Sequence, residues 1–234
     1  NPRKSGITAT TLRKNDVLKD ARLTDGKQDI IIGTHDGISI RFHENEVRPM
    51  GRSAAGVRGI TLAKKDKVVG VVNLRRKGTT ILVATEGGYG KRSEEDEYRV
   101  SHRGGKGIIT VKTSDKTGMM VAIKEALNTD DVVVVTSNGM IIRQHASDIR
   151  VAGRNTQGVR LIKLHEGDAV ADVALVIAEE EEEKQLAEKE SEKKSDGMKN
   201  GKQTPTVVEP AAKKTEAKPK EEKKAEKKGK KKKK

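Results

Sequence analysis

Apolar positions in the first three quarters of the chain come in short bursts rich in Val and Ile, each closed by a turn signal. Ile30, Ile31 and Ile32 run up to His35-Asp36-Gly37, after which Ile38, Ile40 and Phe42 alternate with Ser39 and Arg41. A continuous burst followed by an alternating one predicts a fully buried strand and then a half-buried one. The same text returns at Ile81, Leu82 and Val83 before Gly87-Gly88, and at Val132 to Val135 before Asn138-Gly139. Gly37, Gly88 and Gly139 are therefore spaced by 51 residues, as are Gly56, Gly107 and Gly158. A fixed period of this size marks a repeat architecture. The pairs Asp36-Gly37, Gly87-Gly88 and Asn138-Gly139 predict two-residue type I′ hairpin turns, which need positive φ at both central residues.

Each hairpin is followed by a loop that ends in glycines and basic residues: Gly51 to Gly56, His102 to Gly107, and Gly153 to Gly158. A third strand is expected over 57–62, 108–111 and 159–164, and a fourth over 68–74, 119–123 and 170–177. Four short strands per repeat is the arithmetic of a propeller-like blade, so the fold class is all-β. Residues 1–29 read as the end of an earlier unit with a strand at Val17–Leu23, and complete units follow at 30–80, 81–131 and 132–177. The middle unit has Thr117 where its neighbours have Asp66 and Asp168, which predicts a differently shaped loop over 115–118. The absence of an initiator Met and of a first half for the opening unit leads us to expect a piece of a longer domain.

Charge divides the chain more sharply than hydropathy does. Of the net charge of +14, the repeats carry 30 Lys+Arg against 21 Asp+Glu, and residues 178–234 carry 19 against 14. That tail is low-complexity Glu/Lys sequence ending in five lysines, too poor in apolar surface to offset chain entropy, and is expected to be disordered. Its terminal lysines are expected to add salt-sensitive affinity for nucleic acid. A basic repeat domain favours a polyanionic partner. With one Phe, two Tyr and no Trp, base stacking is hard to build, so the expected contact is with the phosphates of duplex DNA. There is no Cys, hence no disulfide or Cys-based zinc site, and no apolar run of membrane-spanning length.

No catalytic or metal-binding constellation emerges. The five His lack ligand spacing, Gly104-Gly105-Lys106-Gly107 lacks the Ser/Thr of a phosphate loop, and Asp130-Asp131 reads as a turn. What repeats is arginine. Arg41, Arg92 and Arg143 form one set, Arg48, Arg99 and Arg150 a second, and Arg52, Arg103 and Arg154 a third. Glu46, Glu97 and Asp148 recur two residues before the second set, so Arg48, Arg99 and Arg150 are expected to form structural pairs with those acids. The glycine-loop arginines Arg52, Arg103 and Arg154 are expected at the DNA, with an acid clamp as the competing role. Arg58, Arg75, Arg76, Lys77, Lys106 and Arg160 are further candidate DNA contacts.

Residues 47–60, from Val47 through Gly51-Arg52 to Ile60, together with Ala21-Arg22-Leu23-Thr24-Asp25-Gly26, closely resemble the C-terminal domains of DNA gyrase A proteins. The resemblance implies a six-bladed β-pinwheel whose blades exchange strands, of which about three and a half are present here. It also implies wrapping of duplex DNA around a basic rim in support of ATP-dependent negative supercoiling. Ser101 to Gly107 partly matches the family's Gln-Arg-Arg-Gly-Gly-Lys-Gly box, departing at Ser101 and His102. On the same resemblance, the strand-cleaving tyrosine belongs elsewhere in the whole protein, and no cofactor is expected in this segment. ATP and Mg2+ are implied for the holoenzyme, the gyrase B protein for its partner, and the bacterial cytoplasm for its place. The alternatives are the C-terminal domain of the topoisomerase IV A protein and, from another class, a propeller-type protein-interaction scaffold.

Overall fold

The computed structural model describes residues 6–178. Among them eleven strands form: β1 (Asp29–Thr34), β2 (Ile38–His43), β3 (Val68–Leu74), β4 (Thr80–Thr85), β5 (Tyr89–Glu94), β6 (Ile108–Ile109), β7 (Met120–Ala126), β8 (Asp131–Thr136), β9 (Ile141–His145), β10 (Val159–Arg160) and β11 (Val170–Val176). They build three antiparallel sheets, ordered β3-β1-β2-β6, β10-β5-β4-β7 and β11-β8-β9. Each sheet centres on one predicted hairpin, and the strand that follows the turn at Asp66, Thr117 or Asp168 pairs with the hairpin's first strand.

The fourth strand of a blade is not its own. β6 belongs to the second repeat yet pairs with β2, placing Ile109 opposite Ile38, and β10 of the third repeat pairs with β5, placing Arg160 opposite Tyr89. Strand exchange welds each blade to the next. The exchanged strands are two residues long, shorter than the four to six expected over 108–111 and 159–164. Val57–Leu62, in the same place one repeat earlier, is not a strand, and neither is Val17–Leu23. Their text has strand character, but no hairpin edge among the described residues lies beside them to complete the backbone hydrogen bonds. β9 likewise carries no fourth strand among the described residues. The tail predicted to be disordered lies outside the described residues, apart from Ala178.

The hairpin turns also differ from expectation. Gly37, Gly88 and Gly139 have φ of +82°, +78° and +86°, whereas Asp36, Gly87 and Asn138 do not have positive φ. Each glycine N–H donates to the residue three before it, Thr34, Thr85 or Thr136. The loops are thus three residues long and end in a left-handed glycine, the G1-bulge form rather than type I′. The acidic turn caps them from outside: Asp66 Oδ1 accepts from Asp36 N–H at 3.0 Å and Asp168 Oδ1 from Asn138 N–H at 3.1 Å. In the middle repeat the Thr117 backbone carbonyl accepts from Gly87 N–H instead, at 2.8 Å, and the Thr117 hydroxyl turns inward to Ser114 N–H. The altered loop predicted from Thr117 therefore serves the same acceptor function by another atom.

Apolar clusters fill the seams between blades. Ile31 and Val72 of the first pack against Ile81, Val83, Met120 and Ile123 of the second, and Leu82, Ala84 and Ala122 of the second against Val132, Val134 and Val173 of the third.

Candidate nucleic-acid interface

The three arginine sets part company once the sheets are in place. Arg41, on β2, reaches Asp29 and Glu95 at 2.7 Å each and donates to the Tyr98 carbonyl of the next repeat. Arg143 pairs with Asp131 at 2.6 Å. Arg92 is buried, donating to the Ile149 carbonyl at 2.9 Å and to Asn128 Oδ1. Thr80 and Ala146 stand where Arg41 finds Asp29 and Glu95, so burial without a carboxylate partner lowers the Arg92 pKa. Arg41 and Arg92 thus tie hairpin to following loop from inside the fold, whereas Arg143 is exposed and pairs within its own hairpin.

The expected pairs Glu46–Arg48, Glu97–Arg99 and Asp148–Arg150 do not form. A short 3-10 turn over Glu44–Glu46 carries the Glu46 carboxylate to the following repeat, where it accepts from Arg103 N–H at 2.9 Å and meets His102 Nδ1 at 3.1 Å. The Arg103 guanidinium then donates to the Glu46 and Arg58 carbonyls. One repeat on, Glu97 accepts from Arg154 N–H at 2.7 Å, and the Arg154 guanidinium donates to the Glu97 and Ile109 carbonyls. The Arg103 hydrogen bond, foremost among several causes, lowers the Glu46 pKa. Each of these two acids is thus clamped 57 residues ahead rather than two. The local spacing was misleading because the 3-10 turn points acid and arginine apart.

The candidate DNA contacts differ in how far the fold already engages them. The Arg103 and Arg154 side chains use donors on the clamp. Arg76 is also engaged, with Asp130 at 2.7 Å and the Glu125 carbonyl at 3.0 Å. Arg48, Arg99 and Arg150 are exposed, and none of their side chains has an ion-pair or hydrogen-bond partner among the described residues. Arg52, Arg58, Lys106 and Lys77 are exposed as well, and Arg75 is exposed while its backbone N–H is held by Glu125. Arg160 is exposed beside Tyr89.

Arg99 and Lys106 come together with Ser39 and His102 in a shallow cleft of about 180 Å³ over the β2–β6 junction. Val100 and Val151 bridge in parallel to Arg41 and Arg92, so Arg99 and Arg150 stand at the same place on consecutive blades. Lys112 and Lys163, also 51 residues apart and exposed, extend the basic character beyond the exchanged strands. Sequence reasoning passed over these two, although their spacing was visible.

The family model of the DNA gyrase C-terminal domain, beta-propeller, matches residues 28–75, 79–124 and 130–177, one match per blade. The chain belongs to that family. It is 43% identical over 195 residues to the DNA gyrase A protein of Staphylococcus aureus, a match covering 83% of this chain and 22% of the relative. It is 46% identical over 179 residues to the Staphylococcus epidermidis protein, covering 76% and 20%. The chain thus spans about a fifth of the length of these curated relatives. Among solved structures, the C-terminal domain of DNA topoisomerase IV superposes with a TM-score of 0.75 at 28% identity, covering 82% of this chain and 60% of that one. The gyrase A C-terminal domain superposes with a TM-score of 0.68 at 24% identity, covering 74% and 59%, a likeness of fold. The gyrase C-terminal family read from residues 47–60 is borne out, and with it the all-β pinwheel. Among the described residues no helix is long and apolar enough to cross a membrane.

Proposed function

We propose that this chain binds duplex DNA across the outer edges of its blades, bending the duplex from one blade to the next. In the whole gyrase, this wrap would feed DNA to a cleavage and ATPase machinery that lies outside the segment, with the gyrase B protein, ATP and Mg2+, in the bacterial cytoplasm. The observation that carries the reading is the second arginine set. Arg48, Arg99 and Arg150 recur at the blade period, are exposed, and lack an internal side-chain partner among the described residues, whereas Arg41 and Arg92 of the first set are used inside the fold. Family membership supports the same reading, and the family model and the curated relatives named above are those of gyrase.

Phosphate neutralisation releases counterions, so affinity should fall steeply with salt. Replacing Arg48, Arg99 and Arg150 together by Gln should lower the salt slope of binding to a duplex longer than about 100 base pairs by about 2.7, at 0.9 per phosphate contact. The melting temperature should not move. An unchanged slope, or equal affinity for long and short duplexes, would sink the proposal and favour a protein-binding scaffold.

A further inference from the structure

One cluster of side chains breaks the repeat. Tyr89 opens β5 at the position held by Ile38 in the first repeat and Met140 in the third. In the first blade the cross-strand partner of Ile38 is Ile109, an apolar pair. In the second, the partner of Tyr89 is Arg160. The Arg160 guanidinium lies 5.8 Å from the centre of the Tyr89 ring, and its Nη2 donates to the Tyr89 hydroxyl oxygen at 3.4 Å. Lys116, from the turn before β7, places its ammonium 5.4 Å from the same ring centre. Two cations from different repeats therefore converge on one phenol, and neither has an ion-pair partner among the described residues.

A cross-strand cation–aromatic pair is enough to explain Arg160 alone. It leaves Lys116, whose ammonium comes to the same ring from another loop. Both cations are exposed, so their charge is open to an anion from solution. Donor bookkeeping points the same way. Arg160 fills a lone pair of the Tyr89 oxygen, which leaves the phenolic proton to be given outward. Hydroxyl, guanidinium and ammonium together offer the donor set of a phosphate site. Arg160, foremost, and Lys116 also hold the Tyr89 pKa below its ordinary value.

We propose that Tyr89, Lys116 and Arg160 form a backbone-phosphate clamp for duplex DNA, specific to the middle blade and separate from the repeating arginines. The inference rests on the DNA-binding reading above. It makes the blades inequivalent: the duplex is held at one fixed point by a neutral donor and two cations, and elsewhere by repeating point charges.

The test separates this from a structural pair. Tyr89→Phe in the full chain keeps the ring and its cations and removes one hydroxyl. Affinity for a long duplex should fall about ten- to hundredfold, the worth of one hydrogen bond to a charged group. Salt slope and melting temperature should stay unchanged. Lys116→Gln should instead lower the slope by about 0.9. Full affinity in Tyr89→Phe, or a drop matched by a lower melting temperature, would overturn the clamp while the Arg48/Arg99/Arg150 variant still reports on DNA binding itself. Inorganic phosphate displacing the duplex in the wild type but not in Tyr89→Phe, at equal ionic strength, would assign the site to free phosphate rather than to DNA and overturn the clamp as stated.

Discussion

Lys91 offers the sharpest test of the packing argument. Its equivalents are Ile40 and Ile142, yet a lysine stands there, with no exposed surface. Burial, the largest cause, pulls its pKa from 10.5 down to about 8. Its ammonium donates to the Gly153 carbonyl at 2.5 Å, an oxygen that also accepts from the Thr156 hydroxyl at 2.7 Å. The drop from 10.5 to about 8 corresponds to about 3 kcal/mol in favour of the neutral amine. Lys91→Met removes the buried charge and loses one hydrogen bond of about 1 kcal/mol, while Thr156 still satisfies Gly153. At pH 7 the variant should therefore be more stable by about 2 kcal/mol, raising the melting temperature by about 4–8 °C for a domain of this size. Between pH 8 and 10.5 the folded wild type has released the Lys91 proton and the unfolded chain still holds it. Wild-type stability rises with pH across that window relative to the variant, and the variant's lead closes. Urea unfolding of both proteins at pH 7 and near pH 10 measures it. A less stable variant at pH 7, or a gap that does not narrow with pH, would refute the reasoning.

Two further outcomes follow from the blade seams. Gly88→Ala and Gly139→Ala impose similar φ strain, at +78° and +86°, but a Cβ at Gly88 would meet the Ile162 carbonyl oxygen at 2.8 Å, whereas one at Gly139 meets nothing within 4 Å. Thermal melts should therefore show Gly88→Ala the more destabilising by at least about 1 kcal/mol. Arg154→Ala loses two side-chain hydrogen bonds to backbone carbonyls, so chemical denaturation should show a loss of about 1–3 kcal/mol with the salt slope of DNA binding preserved.

The period of 51, the hairpins and the all-β class were legible in the chain because buried strands demand unbroken apolar text and the turns demand glycine, both local requirements. The internal arginines and their acids were visible as repeating letters, but their partners were not. Glu46 and Arg48 are two residues apart in sequence, and the 3-10 turn sends Glu46 to Arg103 instead. Likewise, Val57–Leu62 has strand text and no strand, because a ladder needs a neighbouring edge that the segment itself does not supply. Tyr89, Lys116 and Arg160 lie far apart along the chain, and strand exchange alone brings Arg160 across from Tyr89. Local chemistry along the chain thus settles the blade, its turns and the basic character of the repeats. Which arginines face inward, which face solvent and which side chains converge between blades depends on tertiary pairing, because strand exchange joins each repeat to the next and so replaces local neighbours with ones 57 residues away.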